Sequence, residues 1–212
     1  MQKIAVIDYG MSNLRSVVKA LEHVAGKTAR IDILDDPEQI LAADRIVFPG
    51  QGAMGQCMEN IRSRGLDQVL LECLRSKPFL GICLGLQTLM QTSEEDGGTP
   101  GLGVLAGKVL RFPVGRRDDN GNLYKIPQMG WNQVRQRQPH PLWQGIESGE
   151  RFYFVHSYYV KPDDETVIAG STDYILEYTS AAARDNLFAT QFHPEKSQRC
   201  GLRLLQNFLA WL

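Results

Sequence analysis

A cysteine stands between two glycines in the segment Lys77-Pro78-Phe79-Leu80-Gly81-Ile82-Cys83-Leu84-Gly85-Leu86-Gln87. Residues 78–82 form a short apolar run that is typical of a strand, and residues 86–91 predict the start of a helix. Cys83 therefore lies at a strand-to-helix corner, with a glycine two residues away on each side. This pattern is the thiol form of the nucleophile elbow, G-x-S-x-G, which presents a reactive side chain on a sharp turn.

The flanking glycines have a steric explanation. The turn brings the strand and the helix very close together, so only residues without a β-carbon fit beside the nucleophile. The N-terminus of the following helix would direct its dipole at the sulfur, which favours the thiolate. The pattern alone is equally compatible with a buried structural cysteine among packing glycines, so other residues must decide between the two interpretations.

Outward from this corner, the N-terminal half of the chain alternates between strands and helices. Apolar runs predict strands at residues 3–8, 29–34 and 45–48. Helical spacing over residues 14–25 predicts a helix with Ser12 as a candidate N-cap, and Gly26 ends it. Pro37 is well placed at the first position of a short second helix. The alternation predicts an α/β fold with a parallel, doubly wound sheet and helices on both faces.

The second half of the chain has a different character. Closely spaced strands are predicted at residues 104–112, 129–134, 152–160, 167–174, 176–182 and 187–192. Arg184-Asp185-Asn186 predicts a hairpin turn, so we expect a mixed or antiparallel extension of the sheet. A closing amphipathic helix is predicted by helical spacing of Leu202, Leu205, Phe208, Leu209 and Leu212.

Length and composition exclude several classes of protein. The 212 residues fit one globular domain spanning residues 1–212. A net charge of −1 predicts no binding to nucleic acid or to an anionic membrane. Asp8 interrupts the first apolar run and no run reaches transmembrane length, so we expect a cytoplasmic protein. The four cysteines form no C-x-x-C pair, which favours reduced thiols, and we expect no metal and no cofactor.

A reactive cysteine needs a base, and one of the four histidines is suitably placed. His193 follows the last predicted strand in Phe192-His193-Pro194-Glu195, and Pro194 holds it extended. If the extension continues, Glu195 lies on the same side and accepts a hydrogen bond from one ring nitrogen, which leaves the other for the thiol. This is the nucleophile–base–orienter logic of a triad. A strand-end histidine beside a solvated glutamate is the alternative interpretation of this motif alone.

A glycine-rich loop supplies a third element. The strand at residues 45–48 runs into Pro49-Gly50-Gln51-Gly52, which exposes backbone N–H groups at the carboxyl edge of the sheet, where ligands bind in open α/β folds. In elbow hydrolases one oxyanion donor is the N–H after the nucleophile, here Leu84. The second comes from a loop after another strand, here Gly50, Gln51 and Gly52. A phosphate-binding loop is disfavoured because no Lys-Ser/Thr follows.

These three motifs together resemble the class I, or triad, glutamine amidotransferases, and they span almost the whole chain. The resemblance implies a three-layer, flavodoxin-like fold with a mostly parallel mixed sheet and an antiparallel extension. Further segments resemble one branch of the family, the glutaminase subunits of imidazole glycerol phosphate synthase: Asp8-Tyr9-Gly10 with Asn13-Leu14, Pro127-Gln128-Met129-Gly130-Trp131-Asn132, residues 152–158 and His193-Pro194-Glu195-Lys196-Ser197-Gln198. That branch more often has histidine at the position of Gln128, a departure outside the triad.

The resemblance implies a reaction. L-Glutamine binds with its side-chain amide over Cys83, the thiolate attacks the carbonyl, ammonia leaves, and water hydrolyses the glutamyl thioester. His193 transfers the proton and Glu195 orients His193. The family pattern assigns the glutamine site to Gly52, Gln87 and the backbone of His156, Ser157 and Tyr158. The aromatic side chains around these last residues are equally compatible with a core strand.

The resemblance also implies a partner, because the chain has no motif for a second substrate. We expect a heterodimer with a (β/α)8-barrel cyclase subunit, which uses the ammonia to make imidazole glycerol phosphate and an aminoimidazole carboxamide ribotide in histidine biosynthesis. Trp131, Asn132, Tyr153 and Lys196 match partner-facing positions of the family. Residues 50–52 are expected to rest without the second oxyanion donor and to turn inward when the partner binds its ligand, since glycines permit such a flip.

Other functions remain open at this point. A glutaminase subunit for another acceptor, such as anthranilate synthase or pyridoxal phosphate synthase, would share the triad, although Met129-Gly130-Trp131-Asn132 disfavours it. A stand-alone γ-glutamyl or cysteine peptidase would use the same nucleophile on peptides and would need no partner. A non-catalytic module is disfavoured because Cys83, His193 and Glu195 are all present.

Overall fold

A computed structural model describes residues 1–10 and 14–211. The strands in these residues are β1 (Gln2–Ile7), β2 (Ala29–Leu34), β3 (Arg45–Gly50), β4 (Phe79–Cys83), β5 (Met90–Ser93), β6 (Thr99–Pro100), β7 (Leu105–Arg111), β8 (Gln128–Gln133), β9 (Arg135–Gln136), β10 (Arg151–His156), β11 (Tyr158–Pro162), β12 (Ile168–Asp173), β13 (Glu177–Arg184) and β14 (Leu187–Thr190). The α-helices are α1 (Leu14–Ala25), α2 (Pro37–Leu41), α3 (Met54–Ser63), α4 (Leu66–Ser76), α5 (Leu84–Gln87) and α6 (Gln198–Ala210). Short 3-10 turns lie at Glu95–Gly97, Pro141–Trp143, Glu165–Val167 and Pro194–Lys196.

The main sheet is parallel on one side and mostly antiparallel on the other, where only β5 and β7 pair in parallel among the described strands. Its strand order is β2-β1-β3-β4-β14-β13-β11-β7-β5-β6, with β12 and β9 attached beside β13. Strands β2, β1, β3, β4 and β14 run parallel to one another, and the sheet turns antiparallel at β13. The hairpin that joins β13 to β14 turns at Asp185, whose φ is 53°, as a tight two-residue turn requires. The predicted mixed sheet is therefore confirmed.

Helices cover both faces of the sheet because the central strands are apolar on both sides. In β1, Ile4 and Val6 face one core, and Ala5 and Ile7 face the other. The first core lies under α1 and α6, and the second lies under α2, α3 and α4. This gives the predicted three layers. Among the described residues, no helix has both the length and the apolar character that crossing a membrane requires.

Several predicted helix boundaries are confirmed. Helix α1 ends at Gly26, whose φ is 55° and whose N–H donates to the carbonyl of Glu22. Helix α2 starts with Pro37, and the carboxylate of Asp36 caps it by accepting from the N–H of Gln39 at 2.9 Å. The candidate N-cap Ser12 and the last predicted apolar position, Leu212, lie outside the described residues.

The helix predicted to begin at residues 86–91 is wrong in its position and length. Helix α5 is a single turn, Leu84–Gln87, and Met90–Ser93 is strand β5. Backbone carbonyls that a longer helix would use internally accept from later residues instead: Thr88 accepts from Leu102 at 2.7 Å, and Leu89 accepts from Leu105, the first residue of β7, at 2.9 Å. Tertiary pairing therefore overrides the local helical pattern.

The single strand predicted at residues 152–160 is in fact two strands in different sheets. Strand β10 pairs with β8 in a separate two-stranded sheet, which we call the β8–β10 ribbon, and β11 belongs to the main sheet. The chain changes direction at Ser157. There the ring Nδ1 of His156 donates to the carbonyl of Tyr158, two residues further along the chain, at 2.7 Å. The extension is thus antiparallel as expected, but part of it leaves the sheet.

Candidate active site

Cys83 occupies the strained corner that the sequence predicted. It is the last residue of β4 and has φ 55° and ψ −109°, a conformation that non-glycine residues rarely adopt. A β-carbon at Gly85 would collide with the carbonyl oxygen of Phe48, and one at Gly81 would lie 3.0 Å from the β-carbon of Ala189. The steric reason for the flanking glycines is therefore confirmed. The helix dipole expected at the sulfur is small, because α5 has only one turn.

A cavity of about 390 Å³ opens beside Cys83 at the carboxyl ends of β3 and β4. Most of the residues that the sequence assigned to a site lie in its wall, although they come from distant parts of the chain. The lining residues are Gln51, Gly52, Cys83, Leu84, Gln87, Glu95, Pro127, Val155, His156, Ser157, Tyr158, His193 and Lys196. The fold thus brings the loop, elbow and histidine motifs to one place.

His193 and Glu195 form the expected pair by a different backbone route. The ring Nδ1 of His193 lies 2.8 Å from Oε1 of Glu195, and both side chains are almost fully buried. The chain does not stay extended through Glu195, because Pro194–Lys196 is a 3-10 turn and only His193 has extended dihedral angles. Proline suits the first position of a helical turn, so this turn, rather than strand alternation, brings the carboxylate back to the ring.

The surroundings of His193 favour its protonated form. Burial lowers the pKa of the ring, but the neighbouring Cys83 and then Glu195 raise it, and the balance puts the pKa of His193 at about 10 instead of 6.5. Since Nδ1 is bonded to Glu195, Nε2 is the nitrogen available to the thiol. This shift favours a proton on the imidazole, which a general acid can transfer to a leaving group.

The candidate oxyanion donors lie around the sulfur. In the parallel pairing of β3 with β4, Gly50 is the partner of Cys83. Gln51, Gly52 and Leu84 line the cavity, and Gly52 has the left-handed φ of 88°. Gly50 lies just behind them, where a β-carbon would meet the hydroxyl of Tyr9 at 2.6 Å. Only glycine leaves room for this close approach of the loop to the nucleophile.

Two glutamine side chains link the wall of the cavity to the nucleophile. The side-chain Nε2 of Gln87 donates to the carbonyl of Tyr158 at 3.2 Å and to Oε1 of Gln191 at 3.1 Å. The Nε2 of Gln191 in turn lies 3.7 Å from the sulfur of Cys83. The sequence reasoning assigned Gln87 and missed Gln191. The available signal was a glutamine in an otherwise apolar stretch directly before the histidine motif.

His156 lies in the same wall, and both of its ring nitrogens contact polar groups of the chain. Burial, opposed by the hydrogen bond to the carbonyl of Tyr158 and assisted by the charge of His193, lowers the pKa of His156 to about 4. Its ring also contacts the amide of Gln128 at 3.1 Å and the hydroxyl of Tyr178 at 3.2 Å. Gln128 is thus buried in a polar cluster behind the cavity, and the hydroxyl of Tyr178 donates to it at 2.8 Å.

Glu95 is a second residue that the sequence reasoning missed. It lines the cavity, and its Oε2 accepts from the N–H of Met54 at 2.7 Å, which caps α3 in the absence of a capping side chain at Ala53. Burial raises the pKa of Glu95, although the Met54 N–H opposes this shift. The acidic run Glu94-Glu95-Asp96 was the signal in the sequence. A carboxyl in this wall gives the cavity an acidic side.

The predicted partner-facing residues do not all share one surface. Trp131 and Tyr153 are paired across the outer face of the β8–β10 ribbon, with ring centroids 6.1 Å apart. Asn132 lies on the inner face, where its amide donates to the carbonyl of Asp173 at 2.8 Å. Lys196 lines the cavity itself. The outer face also carries Met129, which is 66% exposed, next to Trp131, which is 43% exposed.

Comparison with known proteins identifies the class of protein that this fold and site define. The profile of the family described as glutamine amidotransferase class-I matches residues 5–211. A solved glutamine amidotransferase structure superposes with a TM-score of 0.69 at 19% identity, over 98% of this chain and 97% of the other. A second, from Thermotoga maritima, gives a TM-score of 0.66 at 17% identity, over 94% and 78% of the two chains. The chain is a class-I glutamine amidotransferase.

The sequence relatives narrow this assignment. The imidazole glycerol phosphate synthase subunit HisH of Nitrosococcus oceani is 56% identical over 100% of this chain and 98% of the relative. The HisH subunit of Aromatoleum aromaticum is 55% identical over 100% and 99% of the two chains. The HisH subunit of Methylococcus capsulatus is 54% identical over 100% and 97%. Within the class-I amidotransferases, the chain belongs to the family of imidazole glycerol phosphate synthase HisH subunits.

Proposed function

We propose that residues 1–212 act as one glutaminase domain, which hydrolyses L-glutamine to glutamate and ammonia for imidazole glycerol phosphate synthase in histidine biosynthesis. One observation carries the proposal. A strained, cavity-lining Cys83 lies beside the buried His193–Glu195 pair, whose Nδ1–Oε1 distance is 2.8 Å. The high identity of the HisH relatives over their full length supports the same activity.

The reaction follows from this geometry. The thiolate of Cys83 attacks the side-chain carbonyl carbon of glutamine, and the carbonyl electrons move onto the oxygen. The N–H groups of Leu84 and of the Gly50–Gly52 loop receive that oxyanion, at about 3–4 kcal/mol of stabilisation for a donor. The protonated His193 gives its proton to the leaving nitrogen, so that ammonia departs and a thioester remains. His193 then takes a proton from water, which attacks the thioester and releases glutamate and the thiolate.

Charged residues in the wall of the cavity account for recognition of the amino-acid end of the substrate. Glutamine carries an α-ammonium and an α-carboxylate, and the wall contains Glu95 and Lys196. Glu95 faces the ammonium in our proposal because a partly buried carboxylate is stabilised by a cationic partner. Gln87, Gly52 and the backbone of His156, Ser157 and Tyr158 complete the site.

The ammonia passes to a second protein in our proposal, because free ammonia in water is mostly protonated and loses its nucleophilicity. The outer face of the β8–β10 ribbon supports docking beside the cavity, since its Val155 lines the cavity and its Trp131 and Met129 are exposed. Exposed aromatic and methionine side chains are typical of interface anchors. The partner is a (β/α)8-barrel cyclase in a cytoplasmic heterodimer, and neither nucleic acid nor a membrane takes part.

The test is a reconstitution. The chain is mixed with L-glutamine, with and without the cyclase and its ribulosyl phosphate substrate, and both glutamate and imidazole glycerol phosphate are measured. We expect both products from the complete mixture and neither from Cys83→Ala. With ammonium salt in place of glutamine, the Cys83→Ala mixture should still make imidazole glycerol phosphate. Glutamate formation without any imidazole product would point to another acceptor, and cleavage of γ-glutamyl peptides without a partner would point to a peptidase.

Control of the glutaminase lies in the oxyanion loop. We expect the peptides of residues 50–52 to supply the second donor only when the cyclase has bound its ligand, because glycines permit such a rotation. The glutaminase rate is then measured for the chain alone, with the empty cyclase and with the ligand-loaded cyclase. A rate that does not differ among the three conditions contradicts this regulation without affecting the proposed reaction.

A further inference from the structure

Gln191 is a buried polar side chain for which the triad gives no reason. It has no exposed surface, it follows the end of β14, and its backbone N–H donates to the carbonyl of Ser180 at 2.9 Å. Its side-chain amide reaches in two directions, to Gln87 at 3.1 Å and to the sulfur of Cys83 at 3.7 Å. Burying a carboxamide is unfavourable unless both of its ends find partners, so the position of this side chain is closely determined.

The orientation of the Gln191 amide follows from its neighbours. A backbone carbonyl can only accept, so the carbonyl of Tyr158 requires Gln87 to present its Nε2, at 3.2 Å. The second hydrogen on the Nε2 of Gln87 points at Gln191, so the atom of Gln191 that accepts it, at 3.1 Å, must be the oxygen Oε1. The NH2 group of Gln191 is then left to face the sulfur. The contacts run in one direction, from Tyr158 through Gln87 and Gln191 to Cys83.

From this chain of contacts we propose that Gln191 is a further catalytic residue, which donates a hydrogen bond to the sulfur of Cys83 and holds that sulfur toward the cavity. A donor at the sulfur favours the thiolate, because the hydrogen bond is stronger to the charged form than to the neutral thiol. The donor is uncharged, so it leaves the imidazolium of His193 as the proton source. The inference rests on the proposed function, since it gives Gln191 a role at the same nucleophile.

The test measures the thiol directly and needs no glutamine. In the full-length chain, iodoacetamide alkylation of Cys83 is followed against pH by mass spectrometry of the peptide that contains it. Gln191→Met removes the donor at similar size, and we expect the midpoint of alkylation to move up by about one pH unit, with alkylation at neutral pH about tenfold slower. Gln191→Glu places a carboxylate near the sulfur, so we expect a larger upward shift.

A matched control separates this role from simple packing. Thr190 is fully buried next to Gln191, and its hydroxyl donates to the carbonyl of Phe192 at 2.9 Å rather than to the sulfur. Thr190→Val should therefore keep the wild-type midpoint. In steady-state assays with glutamine, the Gln191 variants should lose kcat at a KM within about twofold of wild type, since the donor acts on the nucleophile.

The outcomes are distinguishable. Unchanged midpoints in folded Gln191→Met and Gln191→Glu overturn the inference, as does an equal shift in Thr190→Val. If both Gln191 variants fail to fold, Gln87→Met releases the anchored amide instead, and an unchanged midpoint there also overturns the inference. A wild-type chain that is alkylated normally but does not hydrolyse glutamine even with the ligand-loaded cyclase contradicts the proposed function, while the alkylation profiles still decide the role of Gln191.

Discussion

At the scale of single residues, the site depends on glycines, which lack a β-carbon and so leave room for close contacts between chain segments. Cys83 is held at φ 55° because Gly85 and Gly81 let the neighbouring chain segments approach it. The space that a side chain would fill at Gly85 is taken by the carbonyl of Phe48, on the strand next to the elbow. Strand β3, which packs against the elbow through the carbonyl of Phe48, thus also leads into the glycine loop at residues 50–52.

We expect Gly85→Ala to damage both stability and catalysis. The added methyl group collides with backbone rather than with a movable side chain, so unfolding should become easier by about 1–3 kcal/mol. Displacement of the elbow should lower kcat/KM for glutamine by about a hundredfold. Urea unfolding and steady-state kinetics measure the two effects.

Gly55→Ala is the control for this substitution. Gly55 is in helix α3, where the new methyl group would meet the exposed carboxylate of Asp96, a side chain that can move. Alanine is the better helix former, so stability should stay equal or rise. A Gly85→Ala protein as stable and as active as Gly55→Ala would contradict the steric explanation.

Glu95→Gln tests recognition of the α-ammonium group. Glutamine at this position keeps an oxygen for the N–H of Met54 and so preserves the cap of α3, but it removes the charge from the cavity. We expect KM for L-glutamine to rise about ten- to a hundredfold, as for loss of a charged hydrogen bond, while kcat changes little. Glu94→Gln is the control, because Glu94 is exposed and lies outside the cavity wall. A fall in kcat at constant KM would exclude this role.

At the scale of elements, every part of the site lies where a strand or turn ends. Cys83 ends β4, the Gly50–Gly52 loop follows β3, and Gln191 and His193 follow β14. These three strands are neighbours and parallel, so their carboxyl ends meet at one edge. The sequence predicted this edge because apolar runs ending in glycine or histidine motifs mark strand ends. It did not predict that β14 would lie next to β4, since no local signal specifies which distant strands pair.

The turn at Pro141–Trp143 allows a test of pH dependence. Its N-cap is His140, whose Nδ1 accepts from the N–H of Leu142 at 3.1 Å. Burial lowers the pKa of His140 to about 4 from 6.5. Below pH 6.5 the unfolded chain binds a proton here and the folded chain does not until about pH 4, so folding stability falls as pH drops through this window.

His140→Asn removes that titration and keeps an acceptor for the cap. Between these two pH values, the free energy of unfolding of wild type should fall as the pH drops. The slope for His140→Asn should be smaller than the wild-type slope by about 1.4 kcal/mol per pH unit. Urea unfolding across the window measures both slopes. His156, whose pKa is also lowered to about 4, should leave a residual slope in both proteins. Equal slopes in the two proteins would mean that His140 does not titrate as proposed.

At the scale of the whole molecule, the β8–β10 ribbon joins the candidate docking surface to the triad. The carbonyl of Tyr153, on the ribbon, accepts from the N–H of His193 at 2.9 Å. The N–H of Tyr153 donates to the hydroxyl of Ser197, which donates in turn to the carbonyl of His193 at 2.7 Å. The surface proposed for the cyclase is therefore bonded directly to the backbone of the base.

Trp131→Ala tests the docking surface. A buried tryptophan anchor is worth about 2 kcal/mol or more at an interface, so the Kd for the cyclase should rise roughly thirtyfold. Isothermal titration calorimetry measures the affinity. Ile33→Ala is the matched control, because Ile33 is 45% exposed, as Trp131 is 43% exposed, but it lies on β2 at the far edge of the sheet. Equal affinities for Trp131→Ala and wild type would remove this face from the interface.

The sequence by itself determined the class of fold, and it predicted Cys83 as the nucleophile and His193 as its base. The signals for these features are local: apolar periodicity, a proline or glycine at element ends, and the G-x-C-x-G corner. Most of the helices and strands that they predict were found where expected. The pairing of His193 with Glu195 was also predicted, since the two residues are only two positions apart in the sequence. The turn that forms this pair was not predicted.

Only the tertiary structure decided the contacts between distant segments. Gln191 reaches Cys83 across 108 residues of sequence, and Glu95 caps Met54 across 41. The break of residues 152–160 at Ser157 and the shortening of α5 likewise depend on hydrogen bonds to other segments, with β10 pairing with β8 and β11 pairing with β7. Local sequence sets local backbone preferences through sterics. Buried polar groups, in contrast, need hydrogen-bond partners, and these come from whichever distant segments the fold packs beside them.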